Sequence, residues 1–104
     1  MPTRVVLNEQ LQIDGSTLLK VDFSPFERVR VLIGCHRDSA PVSIRLVHSN
    51  DSYQELRADL DSFEVATQST ISRVYEIPGT QTLIEVGSSA PAAIFVCIYG
   101  FAPN

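Results

Sequence analysis

Tryptophan is absent from the sequence, and Lys20 is the single lysine among its eight basic residues. Without tryptophan, a platform for stacking sugar rings would have to be built from tyrosine or phenylalanine. The basic residues stand scattered at positions 4, 20, 28, 30, 37, 45, 57 and 73, against a net charge of -4. No cationic stripe is legible among them, so nucleic acid is not an expected partner. No stretch reaches the roughly 20 apolar residues of a membrane helix. Residues 1–9 lack the apolar centre of a signal peptide. The expectation is a soluble chain with no membrane partner, cytoplasmic by default. Glycine-flanked nucleophile patterns are missing too.

Cysteine is limited to Cys35 and Cys97, each inside an apolar alternating run. Thiols in such runs behave as small hydrophobes, so both are expected to be reduced and mostly buried. Hydrophobic residues make up 44% of the chain and charged residues 19%, a balance that folds rather than staying disordered. With 104 residues, the expectation is one domain spanning 1–104.

The most apolar run is Ala92-Ala-Ile-Phe-Val-Cys-Ile-Tyr-Gly-Phe101. If it is a strand, Ile94, Val96 and Ile98 share one face while Phe95, Cys97, Tyr99 and Phe101 share the other. A two-layer sandwich buries one of these faces, and the second needs cover from elsewhere. The expected cover is another copy of the chain, with Phe95, Cys97, Tyr99 and Phe101 as interface residues. An exposed strand invites uncontrolled pairing, so a closed, symmetric interface is expected.

Other segments alternate in the same manner. Residues 3–13 place Val5, Leu7, Leu11 and Ile13 on one face and end at the turn Asp14-Gly15-Ser16. Leu19, Val21 and Phe23 follow, stopped by Ser24-Pro25. Val29, Val31, Ile33 and Cys35 then alternate with Arg28, Arg30 and Leu32, and Val42, Ile44 and Leu46 with Ser43 and Arg45. The four residues Asp38-Ser39-Ala40-Pro41 suit a hairpin loop pairing Arg37 with Val42, with the two apolar sets in one core layer. Thr70–Ile77 and Thr82–Val86 read as further strands, the first closed by a Pro78-Gly79 turn. Residues 53–63 are ambiguous: Ser52-Tyr53-Gln54-Glu55 resembles a capping box, and Tyr53, Leu56, Leu60 and Phe63 recur at helical spacing. Asp59, Asp61 and Ser62 are weak helix formers, so a loop followed by a strand fits equally well. The fold expected is mainly β: a single-domain, antiparallel β-sandwich of about eight strands, jelly-roll-like, with one short helix near 53–63 as an option.

No constellation carries chemistry. Cys35 and His36 are adjacent on a strand and face opposite ways, so they cannot both join His48 and Cys97 around a metal. The acids Asp51, Glu55, Asp59, Asp61 and Glu64 lack the glycine and closing glutamate of a calcium loop. His48, Ser49 and Asp51 are sequence neighbours and do not converge as a triad does. Neither metal nor cofactor is expected, and the chain reads as a non-enzyme. The function expected is a structural or protein-interaction β-sandwich module, a homo-oligomer or subunit of a larger assembly. The alternative is a module that binds a glycan or small molecule through Tyr53, Tyr75, Tyr99, Phe26 and the acids of 51–64.

Overall fold

A computed structural model describes residues 3–23, 25–49, 57–76 and 81–101. Eight strands are present: β1 (Thr3–Ile13), β2 (Ser16–Asp22), β3 (Arg28–Cys35), β4 (Val42–Ser49), β5 (Arg57–Val65), β6 (Thr70–Glu76), β7 (Gln81–Gly87) and β8 (Ala92–Phe101). They form two four-stranded antiparallel sheets, ordered β1-β8-β3-β6 and β2-β7-β4-β5. The pairings nest: β1 with β8, β2 with β7, β3 with β6 and β4 with β5, as if one long hairpin had been rolled into two layers. This is the antiparallel β-sandwich expected from the alternation.

The core follows from the period of two. Ile94, Val96 and Ile98 of β8 and Val29, Val31 and Ile33 of β3 pack against Ile44, Leu46, Ile84 and Val86 of the facing sheet, all buried. Gly15, at φ 99°, lets the chain cross from the first sheet to the second in two residues, and its carbonyl accepts from the Ser88 amide at 2.7 Å.

Three expectations are corrected. First, β3 and β4 form no hairpin. β3 is flanked on both sides by β6 and β8, while β4 lies between β5 and β7. The linking segment is drawn between the layers by Ser39, which is buried. Its carbonyl accepts from the Thr67 hydroxyl at 2.7 Å, and its Oγ accepts from the Ala93 amide at 3.1 Å. The apolar residues assigned to that core layer are nevertheless buried together, with Arg30 and Arg45 outside.

Second, the choice between a helix and a loop followed by a strand is decided over residues 57–65, which are strand throughout, so neither the helix nor a loop running up to Phe63 is found there. A bulge falls where Leu46 pairs Asp61 and Val47 pairs Asp59, leaving Leu60 as the extra residue. Residues 50–56, including Tyr53 and the capping box, lie outside the described residues, as does the Pro78-Gly79 turn.

Third, Val5 does not share a face with Leu7. A bulge at Val6 separates the Val5–Tyr99 and Leu7–Ile98 pairs, so Val5 turns outward.

Candidate functional site

Residues directly opposite in a ladder share a face, so the registers define the outer surface of the β1-β8-β3-β6 sheet, the front, row by row. Across β1, β8, β3 and β6 the rows read Gln10–Phe95–Gly34–Thr70, Asn8–Cys97–Leu32–Ser72, Val5–Tyr99–Arg30–Val74 and Thr3–Phe101–Arg28–Glu76. The four expected interface residues thus form a continuous stripe down the middle of this face. Phe95 is 39% exposed, and Val5 and Val74 flank the stripe at 54% and 49%. Cys97, Tyr99 and Phe101 are half-buried by their neighbours.

Polar groups lean on the aromatic rings of this stripe. The His36 ring lies 4.3 Å from that of Phe95, and the Arg28 guanidinium stands 5.8 Å from the Phe101 centroid. A hydrogen bond between the Tyr99 hydroxyl and the Cys97 sulfur raises the tyrosine pKa, as does the proximity of their charges. Cys97, expected to be mostly buried, is only half-buried because it lies on this outer face, whereas Cys35 is buried. The Cys35 sulfur faces the interior, 3.5 Å from the Val65 carbonyl, and both cysteines are free. With the two thiols on opposite faces of one sheet, they cannot bridge within the chain.

The outer surface of the other sheet, the rear, differs in shape and charge. Ser16, Gly87 and Ser43 form a row of small residues across β2, β7 and β4. The next row holds Leu18, Glu85, Arg45 and Ser62. The small row lets the surface sink into an open groove of about 700 Å³ bounded by Leu18, Arg45, Glu85 and Ser62. Arg45 donates to Asp59 at 2.7 Å and to Glu85 at 3.2 Å, and these bonds raise its pKa, Asp59 first. Leu18, 44% exposed, is the fourth large exposed hydrophobic among the described residues.

The remaining candidates disperse. His36 is on the front, Cys35 inside, and His48 faces inward opposite Thr82. Among the described residues no three His, Cys, Asp or Glu side chains gather. Asp51 and Glu55 lie outside the described residues. Phe26 is buried, and Tyr75 is turned inward beside Val29.

Asp61, on the inner side of β5, reaches across the open flank between the sheets. Its carboxylate accepts from the Tyr75 hydroxyl at 2.7 Å and lies 3.6 Å from Arg73, whose guanidinium sits 5.0 Å from the Phe63 ring. This arrangement joins β5 to β6. Burial first, and the Asp61 bond second, push the Tyr75 pKa up from 10.0. Unfolded tyrosine ionises near pH 10 while folded Tyr75 holds its proton, so the stabilisation is complete below about pH 10 and falls as pH rises. Tyr75→Phe is expected to cost about 1 kcal/mol at neutral pH, and that difference should shrink above about pH 10. Urea midpoints of both proteins across this range check it.

No protein-family model matches the chain, and no curated protein matches it. Among solved structures, it resembles a protein from Bacillus endospore appendages, described as a novel family of disulfide-linked pili, with a TM-score of 0.54 and 15% identity. That match covers 100% of this chain and 93% of the other. It also resembles the Yersinia pseudotuberculosis-derived mitogen, with a TM-score of 0.56 and 6% identity over 94% of this chain and 86% of that one. At these identities the likeness is one of fold. The neighbours are a pilus protein and a mitogen.

The sequence placed Phe95, Cys97, Tyr99 and Phe101 together, and the registers agree. It missed Val5, Arg30 and Val74 beside them and the whole rear groove. The only available signal for the groove was the small residues Ser16, Ser43 and Gly87, whose alignment depends on non-local pairing.

Proposed function

We propose that the protein is a non-catalytic structural module, a jelly-roll-like sandwich that self-associates through its front face as a subunit of a larger assembly. The observation that carries this reading is the clustering of exposed apolar side chains. Of the four large exposed hydrophobics among the described residues, Val5, Val74 and Phe95 lie on the face that carries Tyr99 and Phe101. Contiguous apolar surface of this kind on a polar-rimmed face marks association sites. The fold shared with a pilus protein supports it.

The glycan or small-ligand alternative has less beneath it. Asp59 and Asp61 point to opposite faces, and Tyr75 is turned into the interior.

Equilibrium sedimentation of the wild-type protein at micromolar concentration tests the reading, with Cys97 as a second reporter. The average mass is expected to rise with concentration while thiol labelling at Cys97 slows, and Cys35 stays slow throughout. A single-chain mass with Cys97 labelling independent of concentration overturns it.

A further inference from the structure

We propose that the surface meeting the front face is the rear groove of a second copy, so that copies stack front to back. This rests on the self-association proposed above and replaces the closed, symmetric pairing expected from the sequence.

Three observations point the same way. The first is charge. The outward ionised residues of the front are Arg28 and Arg30 against Glu76, one net positive charge. Those with described side chains on the rear are Lys20 and Arg45 against Asp22, Asp59, Glu64 and Glu85, two net negative charges. Front against front sets like charge against like, whereas front against rear sets opposite charges together.

The second is relief. Phe95 is the one exposed ring of the front stripe, set between the His36 ring and Gly34, a position whose Cβ space is taken by the Thr70 side chain. The rear sinks over Ser16, Gly87 and Ser43 into the groove of about 700 Å³. An exposed ring and a recess are complementary.

The third is apolar placement. Leu18, among the described residues the one large exposed hydrophobic absent from the front, lines that groove. A front-to-back contact covers all four exposed hydrophobics in one kind of interface. Because such a contact is heterologous, each copy keeps one free front or one free rear, and addition continues unless the rotation closes a ring.

Mixing two inactive variants tests the proposal. Phe95→Ser/Phe101→Ser removes the front, and Leu18→Ser/Glu85→Lys removes the rear. Each alone should sediment as a single chain at micromolar concentration, its association weakened by about 10-fold or more. The equimolar mixture should yield a two-chain particle and nothing larger, because one intact rear meets one intact front. Circular dichroism and thermal melting confirm that each variant folds. If the serine front variant fails to fold, the exposed Arg30→Glu takes its place.

A rear variant that still associates like wild type, with no mixed dimer, shows symmetric front pairing and overturns the proposal while the self-association reading survives. Wild-type protein that stays a single chain overturns both.

Discussion

Replacing Phe95 and Phe101 together by serine is expected to turn an associating protein into a folded single chain. Both side chains point away from the core, on the outer side of β8, so their loss removes no packing between the sheets. Fully covering a phenylalanine is worth about 1.5–3 kcal/mol, and because Phe95 is only 39% exposed and Phe101 half-buried in the single chain, the pair contributes roughly one to two powers of ten in dissociation constant. Sedimentation velocity reads this directly, and a melting temperature within a few degrees of wild type shows that the fold is intact. An internal cover would be the rival explanation: a helix over 53–63 laying Leu56, Leu60 and Phe63 on this face. Residues 57–65 are instead the edge strand of the opposite sheet, which takes Leu60 and Phe63 away from the front. Wild-type association unchanged by the double substitution would show that the stripe is not the contact surface.

The second large effect is expected at Gly100, on the inner side of β8 opposite Val29. The ring of Phe26 lies against its Cα, so a Cβ placed there would overlap three ring carbons. Phe26 cannot swing out cheaply. It is 7% exposed, its amide donates to the Phe23 carbonyl at 3.0 Å, and the neighbouring Glu27 amide donates to the Phe101 carbonyl at 3.0 Å. Forcing a methyl group into packed space costs about 1–3 kcal/mol. For a domain of this size, each kcal/mol lowers the melting temperature by about 4–8 °C. Gly100→Ala should therefore melt well below wild type. Adding Phe26→Leu should recover part of the loss, because the two positions compete for the same space and their effects do not add. A Gly100→Ala protein as stable as wild type would mean that the end of the sandwich yields more readily than this packing implies.

Much of the architecture was legible wherever alternation ran unbroken. β8 shows it best: every second residue from Ala92 to Gly100 is buried, and the residues between them form the front stripe. Legibility failed where one inserted residue changed the phase. On β5 the bulge at Leu60 turns a spacing of two into the three-residue interval from Leu60 to Phe63, which mimics a helix. On β1 the bulge at Val6 sends Val5 outward. The β3–β4 hairpin failed for another reason. Loop length constrains the local turn, but the neighbours of β3 are chosen by β6 and β8, some forty and sixty residues away, and local pattern carries no record of such partners. The front stripe could thus be read from one strand alone, whereas the rear groove requires three strands in register.

The rolled pairing also governs when the molecule can come into being during synthesis. Chains leave the ribosome from the N-terminus onward, and β1 and β3 emerge long before β8, the strand that lies between them. Until residue 101 has emerged, the first sheet has a gap at its centre, and β1 and β3 offer unpaired edges to any neighbouring nascent chain. The front stripe itself belongs to this last strand. Copies that associate through the stripe as proposed would recognise one another only after translation of the strand that completes the fold, which would separate assembly in time from the stage at which the chain is most prone to mispair.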